Sequence, residues 1–192
     1  MTPRAVYLIG APATGKSTAM AALLDRLPVD LGPEERIYPV TTKQLHGQAL
    51  ESIIDGTRVG WSLGVSREGG FPGTDALGMA AAGEATRWAA EGELPAWIIG
   101  EGRRLGIHRF LSTLAKRTDL LVVHLSASEE ELDARCASRG SDQAESFRKS
   151  GATQAANVAV ELERSGVQVQ RISTTEVTPD DVARVMEFHL TH

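Results

Sequence analysis

The sequence predicts an α/β fold, a parallel sheet of about five strands with helices on both faces. Three observations carry this reading. Short apolar runs alternate with helical segments along most of the chain, as in successive βαβ units. The runs are continuous in their apolarity rather than alternating, as in strands buried on both sides. At 192 residues the chain suits one domain with a substantial core and is short for two.

The elements follow in order. Residues 5–9 form a short apolar run that ends at a glycine, a buried strand. Residues 16–27 place Ala19, Leu23, Leu24 and Leu27 at helical spacing, and Pro28 closes the helix. A second strand is expected at 36–41 and a helix at 48–54, ending near Gly56. The glycine-rich stretch 57–73, with Trp61, Phe71 and Pro72, reads as a loop or short hairpin over a cleft. Thr74 or Asp75 caps the next helix, which carries Leu77, Ala81, Ala85 and Trp88 on one face until Gly92. A buried strand follows at 96–99, a helix at 107–114 and a central strand at 120–125. Ser126 or Ser128 then caps a helix whose first turn, Glu129-Glu130-Glu131, complements the helix dipole. A helix at 153–164, a strand at 167–172 and a last helix from Asp180 to about Leu190 complete the pattern. With no repeat or low-complexity linker, residues 1–192 read as a single domain.

Composition narrows the function. The formal net charge of −5 argues against a general nucleic-acid surface. One cysteine, Cys136, makes no internal disulfide, and no Cys or His grouping has structural-zinc spacing. No apolar run is long enough to cross a bilayer, and 5–9 reaches a glycine too soon for a signal peptide, so a cytoplasmic protein is expected. The sequence leaves the oligomeric state open.

The most specific signal is Gly10-Ala11-Pro12-Ala13-Thr14-Gly15-Lys16-Ser17. It satisfies G-x-x-x-x-G-K-[ST] and lies where that phosphate loop belongs, between a strand and a helix. The glycines let backbone N–H groups curl toward phosphates, and the helix N-terminus adds partial positive charge. Lys16 is placed to reach the β- and γ-phosphates and Ser17 to hold Mg²⁺, while Thr18 is placed by analogy on an α-phosphate oxygen. A dinucleotide-binding loop would need glycine where Pro12 stands. These residues predict ATP and Mg²⁺ as cofactors and a three-layer P-loop NTPase fold.

The chain resembles the nucleoside and nucleotide kinase branch of P-loop proteins, including thymidylate-kinase-like enzymes. Besides the loop, Trp97-Ile98-Ile99-Gly100-Glu101-Gly102-Arg103 resembles the strand that delivers an acidic residue to their site. The chain from Leu125 onward resembles their strand, acidic helix and arginine-bearing lid, here roughly 135–150. The Asn-Lys-x-Asp motif of regulatory GTPases and the ABC signature are both absent. Glu101 then holds Mg²⁺ through water or orients the acceptor, or else pairs with Arg103 or Arg104 at a surface turn. Arg103 is a candidate clamp on the acceptor or on the transferred phosphate. Arg135 and Arg139 share a helix face and, with Arg148 beyond them, are candidates to stabilise the migrating charge; the plain alternative is a Glu131–Arg135 surface pair. Trp61 or Phe71 is placed to stack on a base, with Thr74 lining the acceptor site. Asp75 either accepts a proton from an attacking hydroxyl or caps a helix. The stretch Gly-Thr-Asp-Ala-Leu at 73–77 is similar to one in certain phage-encoded nucleotide kinases, which suggests a deoxynucleotide kinase.

The expected activity is ATP- and Mg²⁺-dependent phosphoryl transfer to a nucleoside or (deoxy)nucleoside monophosphate. Alternative acceptors are a hydroxymethylated base in DNA or a small hydroxylated metabolite. A reading from another class is a regulatory module that binds ATP without transfer.

Overall fold

One continuous seven-stranded sheet organises the computed structural model, which describes residues 2–38, 45–65, 73–138 and 145–192. The elements are β1 (Arg4–Gly10), α1 (Lys16–Arg26), β2 (Val29–Arg36), β3 (His46–Ser52) and β4 (Arg58–Leu63), then a 3₁₀ turn, Gly73–Ala76. After it come α2 (Ala81–Glu91), β5 (Trp97–Glu101), α3 (His108–Ala115), β6 (Asp119–Ser126), α4 (Glu129–Ser138), α5 (Glu145–Arg164), β7 (Gln168–Ser173) and α6 (Pro179–Thr191). The strand order is β2-β3-β4-β5-β1-β6-β7. The five from β4 to β7 run parallel, while β2 and β3 extend the sheet antiparallel. The expected parallel sheet is present, with two more strands at one edge.

Alternation along β1 explains the three layers. Ala5, Tyr7 and Ile9 face one way, into a core shared with Ala85 and Trp88 of α2, Phe110 and Leu111 of α3 and Ala159 and Leu162 of α5. Val6 and Leu8 face the other way, against Leu23 of α1 and Val182 and Met186 of α6. The central strand is thus sealed on both faces, and the exposed ends of the strands are where polar chemistry can sit. Among the described residues no helix is long and apolar enough to cross a membrane.

Trp88 is 1% exposed, and its ring nitrogen donates to Glu93 O at 3.2 Å. Truncating so large a side chain leaves both a cavity and an unpaired carbonyl. Trp88→Ala is expected to cost about 3–5 kcal/mol, measured by urea unfolding. A loss below about 1 kcal/mol would mean that the α2 face repacks freely.

Four local expectations are corrected. Residues 48–54 are not a helix: 48–52 belong to β3, where Ala49 and Leu50 are fully buried and the backbone pairs with β2 and β4. Ile53 and Ile54, 60% and 88% exposed, sit in the following turn. The second strand lies at 29–36 and ends where it was expected to begin; residues 39–41 lie outside the described residues. This strand contains Gly32 and Pro33, and as the edge strand of the sheet it tolerates the proline. The stretch 57–73, read as a loop or short hairpin, contains β4, which forms a hairpin with β3 and lies beside β5 in the parallel sheet. Finally, Thr74 and Asp75 lie in the 3₁₀ turn and α2 starts only at Ala81, so neither caps it.

Candidate active site

The phosphate loop connects β1 to α1 at the carboxyl edge of the sheet. Gly10 admits no side chain, because a Cβ there would lie 2.5 Å from Leu125 O and 2.9 Å from Thr14 Oγ1. Thr14 is buried and donates to Ala11 O at 2.8 Å, which closes the loop on itself. Ala13 (φ 65°) and Gly15 (φ 86°) take left-handed conformations, and Ala13 is the one non-glycine residue to do so among those described. That conformation costs an alanine about 1–2 kcal/mol, strain of the kind found at ligand sites.

The first turn of α1 has no side-chain cap and no acidic residue. By contrast, α6 has a full capping box between Thr178 and Asp181. Intrahelical bonds leave the first N–H groups of any helix unsatisfied. The starts of α2 and α3 also lack a side-chain cap, but at α1 the sequence places the phosphate motif, and an anion can satisfy those N–H groups. Lys16, 9% exposed, donates to Gly10 O at 3.1 Å and Ala11 O at 2.7 Å, which fixes its ammonium beside the loop.

Glu101 ends β5, next to β1 in the sheet, and its Oε1 accepts from Ser17 Oγ at 2.9 Å. The carboxylate is 5% exposed and packs so closely on Gly73 that a Cβ there would lie 2.9 Å from Oε1. Burial raises its pKa above the ordinary carboxylate range, while Lys16 and the Ser17 hydroxyl pull it back. A carboxyl whose pKa folding raises gives its full stabilisation below the unfolded value and loses it as pH rises through the folded value. Without nucleotide or metal, ionisation of Glu101 therefore opposes folding. Glu101→Gln, which can still accept from Ser17, is expected to raise the melting temperature of the ligand-free protein at pH 7 by about 2–4 °C per kcal/mol relieved. The gain should shrink as pH falls toward the ordinary carboxylate range. A lower melting temperature at pH 7 would mean that attraction to Lys16 outweighs burial.

A second layer holds the backbone that carries this carboxylate. Tyr7 OH, buried in β1, lies 2.8 Å from Thr74 Oγ1 and donates to Gly102 O at 3.0 Å. Thr74 Oγ1 donates to Glu101 O at 2.8 Å. Asp75 Oδ1 accepts from the backbone N–H groups of Arg103 and Arg104 at 2.7 and 3.0 Å. The turn at 73–76 and the segment 101–104 are thereby tied together across 28 residues of sequence.

The sequence pattern that defines the family described as P-loop Nucleotide Kinase3 matches residues 1–191. The chain belongs to that family. A solved structure of a kinase candidate from Chloroflexus aurantiacus J-10-fl is similar, with 19% identity over 98% of this chain and 99% of that one and a TM-score of 0.42. No curated protein matches the chain.

In this P-loop nucleotide kinase, Lys16, Ser17 and Glu101 lie close together. Ser17 and Thr18 are exposed at the start of α1. Thr74 is fully buried, with its hydroxyl donating to Glu101 O and lying 2.8 Å from Tyr7 OH, so it shapes the site from beneath rather than touching an acceptor. Trp61 is 8% exposed and part of the core, with the Arg58 guanidinium 4.5 Å from its ring centroid. Its ring is thus packing, not an open stacking wall. Phe71 and Arg139 lie outside the described residues.

Arg135 lies over the phosphate loop. Its Nε and Nη2 donate to Glu131 Oε1, Nη2 also to Thr174 O at 2.9 Å, and Nη1 to Thr174 Oγ1 at 2.9 Å and Ala13 O at 3.4 Å. The expected Glu131–Arg135 pair exists, but the same guanidinium bridges the loop to the segment after β7. Arg148 is bound to Asp133 at 2.6 Å and ties α5 to α4. Arg103, just after β5, packs against α5, bonded to Gln154. Sequence reasoning passed over Tyr7 and Gln154. Tyr7 carried a faint signal, a polar tip in an otherwise aliphatic run, and Gln154 carried none.

Proposed function

We propose that this P-loop nucleotide kinase transfers the γ-phosphoryl group of ATP, with Mg²⁺, to a nucleoside or (deoxy)nucleoside monophosphate. The observation that carries the reading is the contact between Ser17 Oγ and Glu101 Oε1 at the uncapped start of α1. A hydroxyl and a carboxylate beside a phosphate loop are the hard oxygen donors that Mg²⁺ takes in such sites. Among the described residues no group of three or more His, Cys, Asp or Glu is arranged to hold a metal. Mg²⁺ at a nucleotide site does not need one, since phosphates and water complete its shell. When bound, the ion would neutralise charge developing on the phosphates.

The acceptor oxygen, a hydroxyl of a nucleoside or a phosphate oxygen of a monophosphate, attacks the γ-phosphorus, the bond to the β–γ bridging oxygen breaks and ADP leaves; where the nucleophile is a hydroxyl, its proton is released. Lys16 and the first amides of α1 hold the β- and γ-phosphates and stabilise the charge that gathers on them. Arg103 adds positive charge beside the transferred group. Arg135 has each of its five N–H groups directed to Glu131, Thr174 or Ala13, so we assign it, with the Thr174 segment after β7, to a wall against which the base of ATP would lie. Its flat face suits stacking on a purine. Asp75 is assigned to holding the backbone of 103–104.

The test is ATP consumption against a panel of nucleosides, nucleoside monophosphates, hydroxymethyluracil DNA and small hydroxylated metabolites, with product masses recorded. One nucleoside or nucleotide gaining a single phosphate supports the reading. A phosphorylated DNA base or metabolite instead would replace the acceptor class, and tight ATP binding with no product would replace the activity.

A further inference from the structure

Gln154 of α5 accepts through one atom, Oε1, from both Nε (3.1 Å) and Nη2 (2.7 Å) of Arg103. Three residues earlier on the same helix face, Gly151 brings α5 against the phosphate loop: a Cβ there would lie 2.9 Å from Pro12 Cδ. The same Cβ would lie 3.6 and 3.7 Å from Nη1 and Cζ of Arg103. Glycine inside a helix weakens it, and the close approach of Pro12 supplies the reason for it here. One face of α5 thus meets the loop and the arginine together, and Gln154 fixes the plane of the guanidinium at that meeting point.

The chemistry of the acceptor matters. A carboxylate at position 154 would grip the guanidinium more strongly and cancel much of its field. An amide oxygen orients the fork and contributes no net charge. We propose that Gln154 is a positioning residue that aims Arg103 at the phosphate to be transferred, through an amide oxygen that adds no charge of its own. This rests on the phosphotransferase reading above.

The test is a double-mutant cycle read by titrating ATP and, separately, ADP. Gln154→Glu keeps the geometry and adds a negative charge; it is expected to weaken ATP binding about tenfold and ADP binding far less. The loss should diminish at high salt and disappear in an Arg103→Gln background. Gln154→Leu, with similar volume and no acceptor, is expected to lose affinity for ATP several-fold, again only while Arg103 is present. Gln154 is partly buried at the helix surface, and an unchanged melting temperature verifies that each variant folds. Losses that persist undiminished in the Arg103→Gln background, or ATP affinities within about twofold of wild type in both variants, overturn the proposal. If wild-type protein fails to bind ATP, or Lys16→Ala binds it equally well, the phosphotransferase reading itself fails, which separates the two outcomes.

Discussion

Replacing Lys16 with alanine is expected to abolish useful phosphoryl transfer, lowering kcat/KM by about a thousandfold. Lys16 is nearly buried, and two loop carbonyls, Gly10 O and Ala11 O, hold its ammonium. A charge held in advance where negative charge will develop needs no reorganisation as the reaction proceeds, so it stabilises the transition state more than the ground state. ATP affinity should therefore fall less than kcat/KM does. Alanine also leaves two carbonyls without their donor, so some loss of stability accompanies the change, about 1–3 kcal/mol. Steady-state kinetics with the identified acceptor, beside an ATP titration and a melting curve, separates these effects. Transfer within about tenfold of wild type would remove Lys16 from the mechanism.

The second large effect belongs to Asp75, and the choice of substitution decides its meaning. Asp75 Oδ1 accepts from the amides of Arg103 and Arg104, the segment that follows Glu101. Asp75→Ala releases that segment, and misplacing catalytic groups by about 1 Å is enough to cost on the order of a hundredfold in rate. Asp75→Asn keeps a side-chain oxygen able to accept both bonds but cannot take a proton. The expected result is transfer lost in Asp75→Ala and retained within about fivefold in Asp75→Asn, with ATP affinity preserved in both. Equal and severe losses of kcat in both variants would make Asp75 the general base instead.

The phosphate loop and its setting were legible because they are local. Eight contiguous residues carry the motif, and the apolar run before it and the helical spacing after it complete the strand, loop and helix without reference to distant chain. The buried strands at 97–101 and 119–126 were legible for a similar reason: sealed on both faces, they read as uninterrupted apolar runs. The stretch at 48–54 was misread because its spacing satisfies a helix, whereas its conformation is set by pairing with β2 and β4 on either side. Glu101 was visible as an acid at a strand end. That it sits 2.9 Å from Ser17, 84 residues away, was not.

By itself, then, the sequence determined a phosphate-binding loop on an α/β framework, since those features depend on neighbours in the chain and on burial pattern. Only the tertiary structure decided which polar side chains serve the site and how. Thr74 went beneath it, Asp75 to the backbone of 103–104, Trp61 into the core and Arg103 onto Gln154. The physical reason is that a polar side chain takes its role from the partner it meets. For Thr74, Asp75 and Arg103 that partner lies 27 or more residues away, at a distance that no local pattern encodes.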